Sequence, residues 1–552
     1  MNRPLDDRRV WMLSVAGGLT MFLVQPPSDL WILAWLAPLP WLAIVEARGI
    51  AAGRPWRAIW AGGFLHWLLT IHWLRLPHPA TSIGWVALSL YLACFVPLFV
   101  WVARGLVHRW GWPLAAAAPL AWVACEHLRG SLFGGFTFAN LGHTQWRSPM
   151  LIQAADLCGA VGVSGLVMLV AAAVLSRSMR QATAAACVMI AALAYGAWRL
   201  AEEPRPTGRP LDVLLVQGSI DTELKHEPAA AADVARHYDE LTVAGLRATP
   251  DDPPDLIAWP ETMWRWSLLE IDPAETLPES VVEQMLGSDA PEVAGAAEAD
   301  RQRRCREALE AERLAVLAAY ARRYATNWLV GVDRQEITPS VPSGARNFNC
   351  GLFLDATGTP LARYDKMHPV LFGEYIPLAN RFPWLYRLTP LPAGLTAGTR
   401  PVAVSIAGHR VAVTICYETA LPGAVRTLVR ELERERVRPD VIVNLTNDGW
   451  FWGSSELDMH LTAAIFRAVE VRTPLLVAAN TGFSAWIDGC GRLLARGPRR
   501  STATLRAGVE PDGRGSLWLV WGSLPAWGCV MVAGGMMVAG RWRDSGSRRH
   551  AA

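Results

Sequence analysis

The segment VAVTICYETA, Val411 to Ala420, runs from β-branched apolar residues straight into Cys416, Tyr417 and Glu418. A continuous apolar run of this kind reads as a strand buried on both faces. Its end presents a thiol, a phenol and a carboxylate at the rim of a sheet. In layered α/β domains, sites form at the carboxyl ends of strands. A single cysteine in that place is more often a packing residue than a nucleophile, so the rest of the chain has to decide.

Around it, short apolar runs alternate with helical patterns from Pro204 onward. Strands are expected at 211–218, 255–261, 327–332, 348–356, 401–418 (a hairpin), 440–448 and 474–482. Helices are expected at about 229–247, 301–324, 421–436 and 456–471, the last opened by Ser455 and Asp458 as a capping box. The alternation gives an α/β layered domain. Residues 268–312, rich in Ala, Glu and Pro, interrupt it. RQRRCREALEAER within them reads as an exposed helix on a surface insertion, with a lid over the site as the alternative.

Two further strand ends carry reactive groups: Glu261 after LIAWP, and Lys366 in YDKMHPV. Each alone is weak, but the three form a chemical set. A thiol near pKa ~8.5 attacks as thiolate and needs a base or a cation beside it. A carboxylate in an apolar pocket serves as base, and an ammonium steadies thiolate and oxyanion. Acyl transfer through a thioester uses these groups. His368 and His460 lack ligand-like partners in the sequence and read as structural. Neither a metal nor another cofactor is called for.

The totals bound the setting. Of 552 residues, 52% are hydrophobic and 18% charged, and mean hydropathy is +0.20, too apolar for an ordinary soluble chain. The 27 Trp suit a bilayer interface. A net charge of +3 gives no reason to invoke nucleic acid. The nine Cys, odd in number and without CxxC, fit neither a disulfide framework nor a zinc site. Eight apolar runs are candidate spans: 10–27, 30–45, 58–74, 80–103, 110–125, 157–176, 181–198 and 515–540. Arg residues gather at the amino terminus, in alternate loops after spans two, four and six, and after span eight. That bias puts both termini in the cytoplasm and the large domain outside. The expected division is 1–203, a seven-span membrane domain; 204–510, the catalytic domain; and 511–552, the eighth span and tail.

WPE (259–261), YDKMHPVLFGEYIP (364–377), ICYE (415–418), NLTNDGWF (444–451) and RAVEVRTPLLVAANTGFSAWID (467–488) resemble the nitrilase, or carbon–nitrogen hydrolase, superfamily. The resemblance implies a four-layer α–β–β–α sandwich and a Glu–Lys–Cys triad. With VLLVQGSIDTELK (213–225), ACEHLRG (124–130), LGHTQWRSPMLIQAADLCGAVGVSGLV (141–167) and the eight-span frame, it extends over nearly the whole chain to the apolipoprotein N-acyltransferase family.

That resemblance implies Glu261 as general base, Lys366 as oxyanion and thiolate stabiliser, and Cys416 as nucleophile. It makes Glu374 a second glutamate that orients Lys366. Tyr417 and Glu418 support the thiol and the strand turn. Phe372, Trp450, Phe451 and Trp452 are candidate apolar walls for lipid. The implied partners are a phospholipid acyl donor, a diacylglyceryl apolipoprotein acceptor and membrane lipid, for a monomer in the bacterial inner membrane with its catalytic domain in the periplasm. Departures from the family pattern are His226 in place of a usual Trp, FTFAN at 136–140, the 268–312 insertion and a transposed order in HPVLFGEYIP. A membrane-tethered amidase or nitrilase, or an inactive lipoprotein-binding protein, are the competing readings.

Overall fold

In the computed structural model of the chain, the described residues are all but 1–3, 205–207, 222–227, 273–274, 278, 280–281, 283–297, 339–343, 380, 389–393 and 550–552. His226 and much of the 268–312 insertion therefore lie outside the described residues.

Twelve strands are described: β1 (Leu211–Gln217), β2 (Leu256–Ile271), β3 (Asn327–Ile337), β4 (Ala345–Leu354), β5 (Pro360–Asp365), β6 (Ala403–Ile406), β7 (His409–Ile415), β8 (Val441–Thr446), β9 (Leu475–Ala479), β10 (Ala485–Ile487), β11 (Leu493–Arg496) and β12 (Ala503–Val509). They form two six-stranded sheets, β12-β1-β2-β3-β4-β5 and β11-β10-β9-β8-β7-β6. Leu215, Ala258, Leu329 and Phe353 of the first share one core with Val413, Val443 and Leu445 of the second. The outer face of the first sheet packs Ile257, Trp259 and Val330 against Tyr238, Leu317 and Ala321 of helices Ala231–Arg247 and Glu298–Tyr324. The outer face of the second packs Ala412, Ile442 and Val477 against Val425, Leu428 and Ile465 of helices Pro422–Arg434 and Glu456–Val471. The layers are α–β–β–α. Each large apolar side chain so buried contributes roughly 1.5–3 kcal/mol.

Four strands and a length depart from the sequence reading. β5, β10, β11 and β12 were not expected. β12 alternates buried and exposed residues, with Arg506 breaking the apolar run, and pairs antiparallel with β1 at a sheet edge. β2 runs on to Ile271, so the presumed insertion begins as strand. The helix expected to be exposed has a buried side. Cys305 is buried, and the Gln302 amide accepts from Leu277 N at 2.8 Å and donates to Leu277 O at 3.1 Å. The expected capping box fails. Ser455 itself has helical φ/ψ, so its hydroxyl makes no cap bond, and Asp458 pairs with Arg499 instead.

The remaining helices are apolar. Thr81–Arg109, Ala155–Ser176 and Met179–Ala201 are long and apolar enough to cross a membrane, while Trp31–Glu46 and Leu524–Gly540 are shorter apolar helices. Asp7–Leu23, Pro55–Thr70 and Leu114–Arg129 cover further runs read as spans, at 17, 16 and 16 residues. Ile83, Met179, Ile190 and Met531 each stand more than half exposed on these helices, a surface water does not favour.

Buried ion pairs join this part to the sandwich. The Asp156 carboxylate receives Nε of Arg199 and Nε of Arg472, both at 2.9 Å. Glu470 accepts from Arg467 at 2.7 Å and from Ala160 N at 2.9 Å. All of these side chains are buried.

Candidate active site

Strand β7 ends at Ile415, and Cys416 opens a single 3₁₀ turn, Cys416–Ala420. Cys416 has φ +52°, the left-handed region, where a non-glycine residue is strained. Four contacts on Glu418 hold the turn. Its Oε2 accepts from Ile415 N at 2.7 Å. Its Oε1 accepts from Met367 N at 2.8 Å and His368 N at 2.9 Å, and Tyr364 OH donates at 2.8 Å. One buried carboxylate thus pins the end of β7 to the segment that follows β5, where Lys366 lies.

Glu261 sits where β2 breaks register with β3, between Trp259 and Trp264. Pro260 has no N–H to give the ladder, so the strand bulges there. Thr262 follows with φ +52°. The bulge needs Gly331 opposite: a Cβ there would lie 2.2 Å from Pro260 O and 2.6 Å from Glu261 Cα. Glu261 Oε1 accepts from Asn349 Nδ2 at 2.6 Å and from Lys366 Nζ at 3.4 Å, and Oε2 accepts from Asn447 N at 3.0 Å.

Lys366 is buried, and its ammonium also donates to Glu374 Oε1 at 2.6 Å. Glu374 Oε2 in turn accepts from Val370 N at 2.7 Å, so the glutamate closes its own loop. Burial works against the Lys366 charge, but Glu374 and then Glu261 more than offset it and hold the ammonium above its ordinary range. Burial pushes the Cys416 thiol well up. The Glu261 carboxylate adds to that, and the Lys366 ammonium opposes it. The structure thus brings Glu261, Lys366, Glu374 and Cys416 into one electrostatic group.

Tyr417 points away from the strand turn. Its hydroxyl donates to Gly135 O at 3.1 Å, while Thr137 Oγ1 donates to Ala420 O at 2.7 Å. The FTFAN segment therefore lies against the Cys416 turn, and Phe136 and Phe138 are buried in a cluster with Trp67, Trp73 and Ala420. Of the four candidate lipid contacts, Phe451 packs edge-on against Trp73 with centroids 5.0 Å apart. Phe372 is 67% exposed and Trp452 44%. Trp450 is half-buried.

The sequence reading missed the amides and the imidazole. Asn349 and Asn447 hold the two oxygens of Glu261 separately, and Asn480 backs Asn447, its Nδ2 donating to Asn447 Oδ1 at 2.9 Å. His460, expected to lack ligand-like partners and to be structural, has two hydrogen-bonding neighbours: Nδ1 lies 3.1 Å from Asp448 Oδ1 and Nε2 lies 3.1 Å from Cys416 O. The available signal was a polar residue inside an apolar element, as Asn349 is within β4. Among the described residues, Asp448, Glu456 and His460 are a group whose ligand-type atoms lie within 4.8 Å of one another. With both ring nitrogens engaged by protein oxygens, this is an ion-pair cluster.

A carboxylate at a strand bulge, an ammonium after β5 and a thiol at the end of β7, gathered in a two-sheet sandwich, fit one class: the carbon–nitrogen hydrolases. Residues 216–517 match the model of the carbon-nitrogen hydrolase family, and residues 17–173 that of the apolipoprotein N-acyltransferase N-terminal domain. An apolipoprotein N-acyltransferase of Rhodopirellula baltica is 30% identical over 93% of this chain and 94% of its own. One of Geobacter metallireducens is 29% identical over 95% and 93%. Among solved structures, an amidase from Nesterenkonia sp. AN1 is 16% identical with a TM-score of 0.35, covering 57% of this chain and 94% of that one. The chain belongs to the apolipoprotein N-acyltransferase family.

Proposed function

We propose that the protein moves an acyl chain from a membrane phospholipid, through a thioester on Cys416, to the α-amine of a lipoprotein's amino-terminal diacylglyceryl-cysteine. Glu261 takes the Cys416 proton as sulfur attacks the acyl ester carbon. The carbon–oxygen bond breaks, and the proton passes from Glu261 to the lysophospholipid oxygen that leaves. The acceptor amine then attacks the thioester carbon. The carbon–sulfur bond breaks, and the amine proton returns through Glu261 to the thiolate. Lys366 steadies the charge on oxygen in both tetrahedral intermediates. Glu374 orients the ammonium. Glu418 holds the turn in place, and Tyr417 ties it to Gly135 of the helical part.

The observation that carries this reading is the pairing of that catalytic group with the apolar helices. The nucleophile turn packs on Phe136, Phe138 and Trp73 of the membrane part, which suits two lipid-bound substrates. A small soluble amide would have no use for that setting. Phe372 and Trp452 offer exposed apolar surface for acyl chains, and a dry site protects a thioester from water. The three long apolar helices support a bacterial inner-membrane location. We extend them to eight spans, with both termini cytoplasmic and residues 204–510 on the periplasmic side.

Incubation with phospholipid and a diacylated lipopeptide is expected to give triacylated peptide and lysophospholipid in equal amounts. Free fatty acid without acylated peptide would instead assign the site to a hydrolase.

A further inference from the structure

We infer that His460 is a positioning residue for the thioester chemistry, clamping the backbone of the nucleophile and linking it to the loop that faces the base; this rests on Cys416 being the acylated residue. Cys416 is strained at φ +52°, and strained backbone persists only where its surroundings hold it. Two donors reach its carbonyl: His460 Nε2 at 3.1 Å and Asn444 Nδ2 at 3.2 Å. A carbonyl only accepts, so Nε2 carries hydrogen. Nδ1 faces the Asp448 carboxylate oxygen at 3.1 Å and also lies 4.0 Å from Glu456 Oε1. The ring therefore donates from both nitrogens, as an imidazolium seated between two buried carboxyl groups.

The second half of the link is Asp448. It follows Asn447, whose N–H donates to Glu261 Oε2 at 3.0 Å. Thr446 Oγ1 donates to Asp448 Oδ1 at 2.8 Å, fixing the carboxylate that His460 grips. The Phe138 ring closes the remaining side, edge-on to His460 with centroids 6.4 Å apart. His460 thus spans the Cys416 carbonyl and the strand end that touches Glu261. Asn444 shares the carbonyl, so losing His460 loosens the thiol without freeing it.

Two substitutions separate the two bonds. His460→Gln places an amide N–H near the position of Nε2 and keeps the carbonyl contact. His460→Asn reaches only as far as Nδ1 and gives that contact up. The assay is single-turnover acylation of Cys416 in the full-length protein, followed by intact mass. Mixed micelles of phosphatidylethanolamine and phosphatidylglycerol serve as donor. H460N is expected to acylate about 10- to 100-fold more slowly at unchanged half-saturating lipid, the size of effect an ångström of misplacement produces. H460Q is expected to recover to within about threefold of native, as only one hydrogen bond is reshaped. If H460N melts too early to assay, Asp448→Asn, which weakens the grip on the same ring, is expected to slow acylation by an intermediate factor with lipid half-saturation unchanged. Equal rates for H460N and H460Q, or a native rate for H460N (for Asp448→Asn in its place), would overturn the inference alone. Stoichiometric divalent metal in the purified protein would overturn it too, by replacing the imidazolium. No Cys416 adduct on the native enzyme would overturn the catalytic reading and this inference with it.

Discussion

Burial and the Glu261 carboxylate hold the Cys416 thiol protonated, and the Lys366 ammonium is the neighbour that works the other way. In the proposed mechanism the thiol therefore gives up its proton as it attacks, to Glu261. Replacing Lys366 by Met is expected to raise the thiol further. Iodoacetamide labelling of Cys416 at pH 8 should then fall about tenfold for each pK unit gained. Labelling that speeds up would contradict this ordering of charges. His460 supplies a second pH test. Burial disfavours its charge, but Asp448 and Glu456 outweigh that and raise it to about 9. Glu456, with Asp458 nearby, is itself shifted up by burial and by Asp448. A raised folded pKa stabilises most below the unfolded value of 6.5. That contribution drains away as pH climbs through about 9, and Glu456 acts in the same direction. The melting temperature of the native protein is expected to fall between pH 7 and 9.5 more steeply than that of H460Q. Parallel curves would show that the imidazolium contributes nothing.

Among the elements, the β2 bulge matters most for the site. Gly331 has no room for a methyl group beside Glu261, so Gly331→Ala is expected to shift the carboxylate and lower the acylation rate about 100-fold. Overpacking of this kind costs about 1–3 kcal/mol in stability. A Gly331→Ala enzyme with native turnover would mean the bulge is adaptable. This scale also shows what a sequence can and cannot reveal. Glu261, Lys366 and Cys416 are legible because each has its own local signature, although Glu261 lies inside β2 and not at its end. The bulge at Pro260 was not, since β2 reads as ending there and continues to Ile271 only because β3 is present to pair with it. Asn349 lies 88 residues from the carboxylate it holds, and no local pattern announces such a contact. Ser455 is the opposite case: the capping pattern is present, yet the residue adopts helical φ/ψ and the cap is not made.

For the whole molecule, the join between the helical part and the sandwich is a claim in itself. Asp156 holds both Arg199 and Arg472 where none of the three is exposed. Removing it with Asp156→Ala leaves two guanidinium groups buried without that partner, a loss of about 3–5 kcal/mol. Thermal melting in detergent is expected to show it, and an unchanged midpoint would mean that the Asp156 ion pairs do not hold the two parts together. Composition made the membrane setting legible. That FTFAN reaches across to the Cys416 turn was not, because Thr137 and Ala420 meet only in the folded chain. The central claim is that Cys416 carries an acyl chain between two lipid-bound substrates. Its most direct test is intact-mass analysis after exposure to phospholipid without acceptor. We predict one acyl adduct on Cys416, absent in Cys416→Ala and discharged when diacylated lipopeptide is added, with the same chain recovered on the peptide amine. An unmodified Cys416 in a preparation that turns over phospholipid would contradict the account.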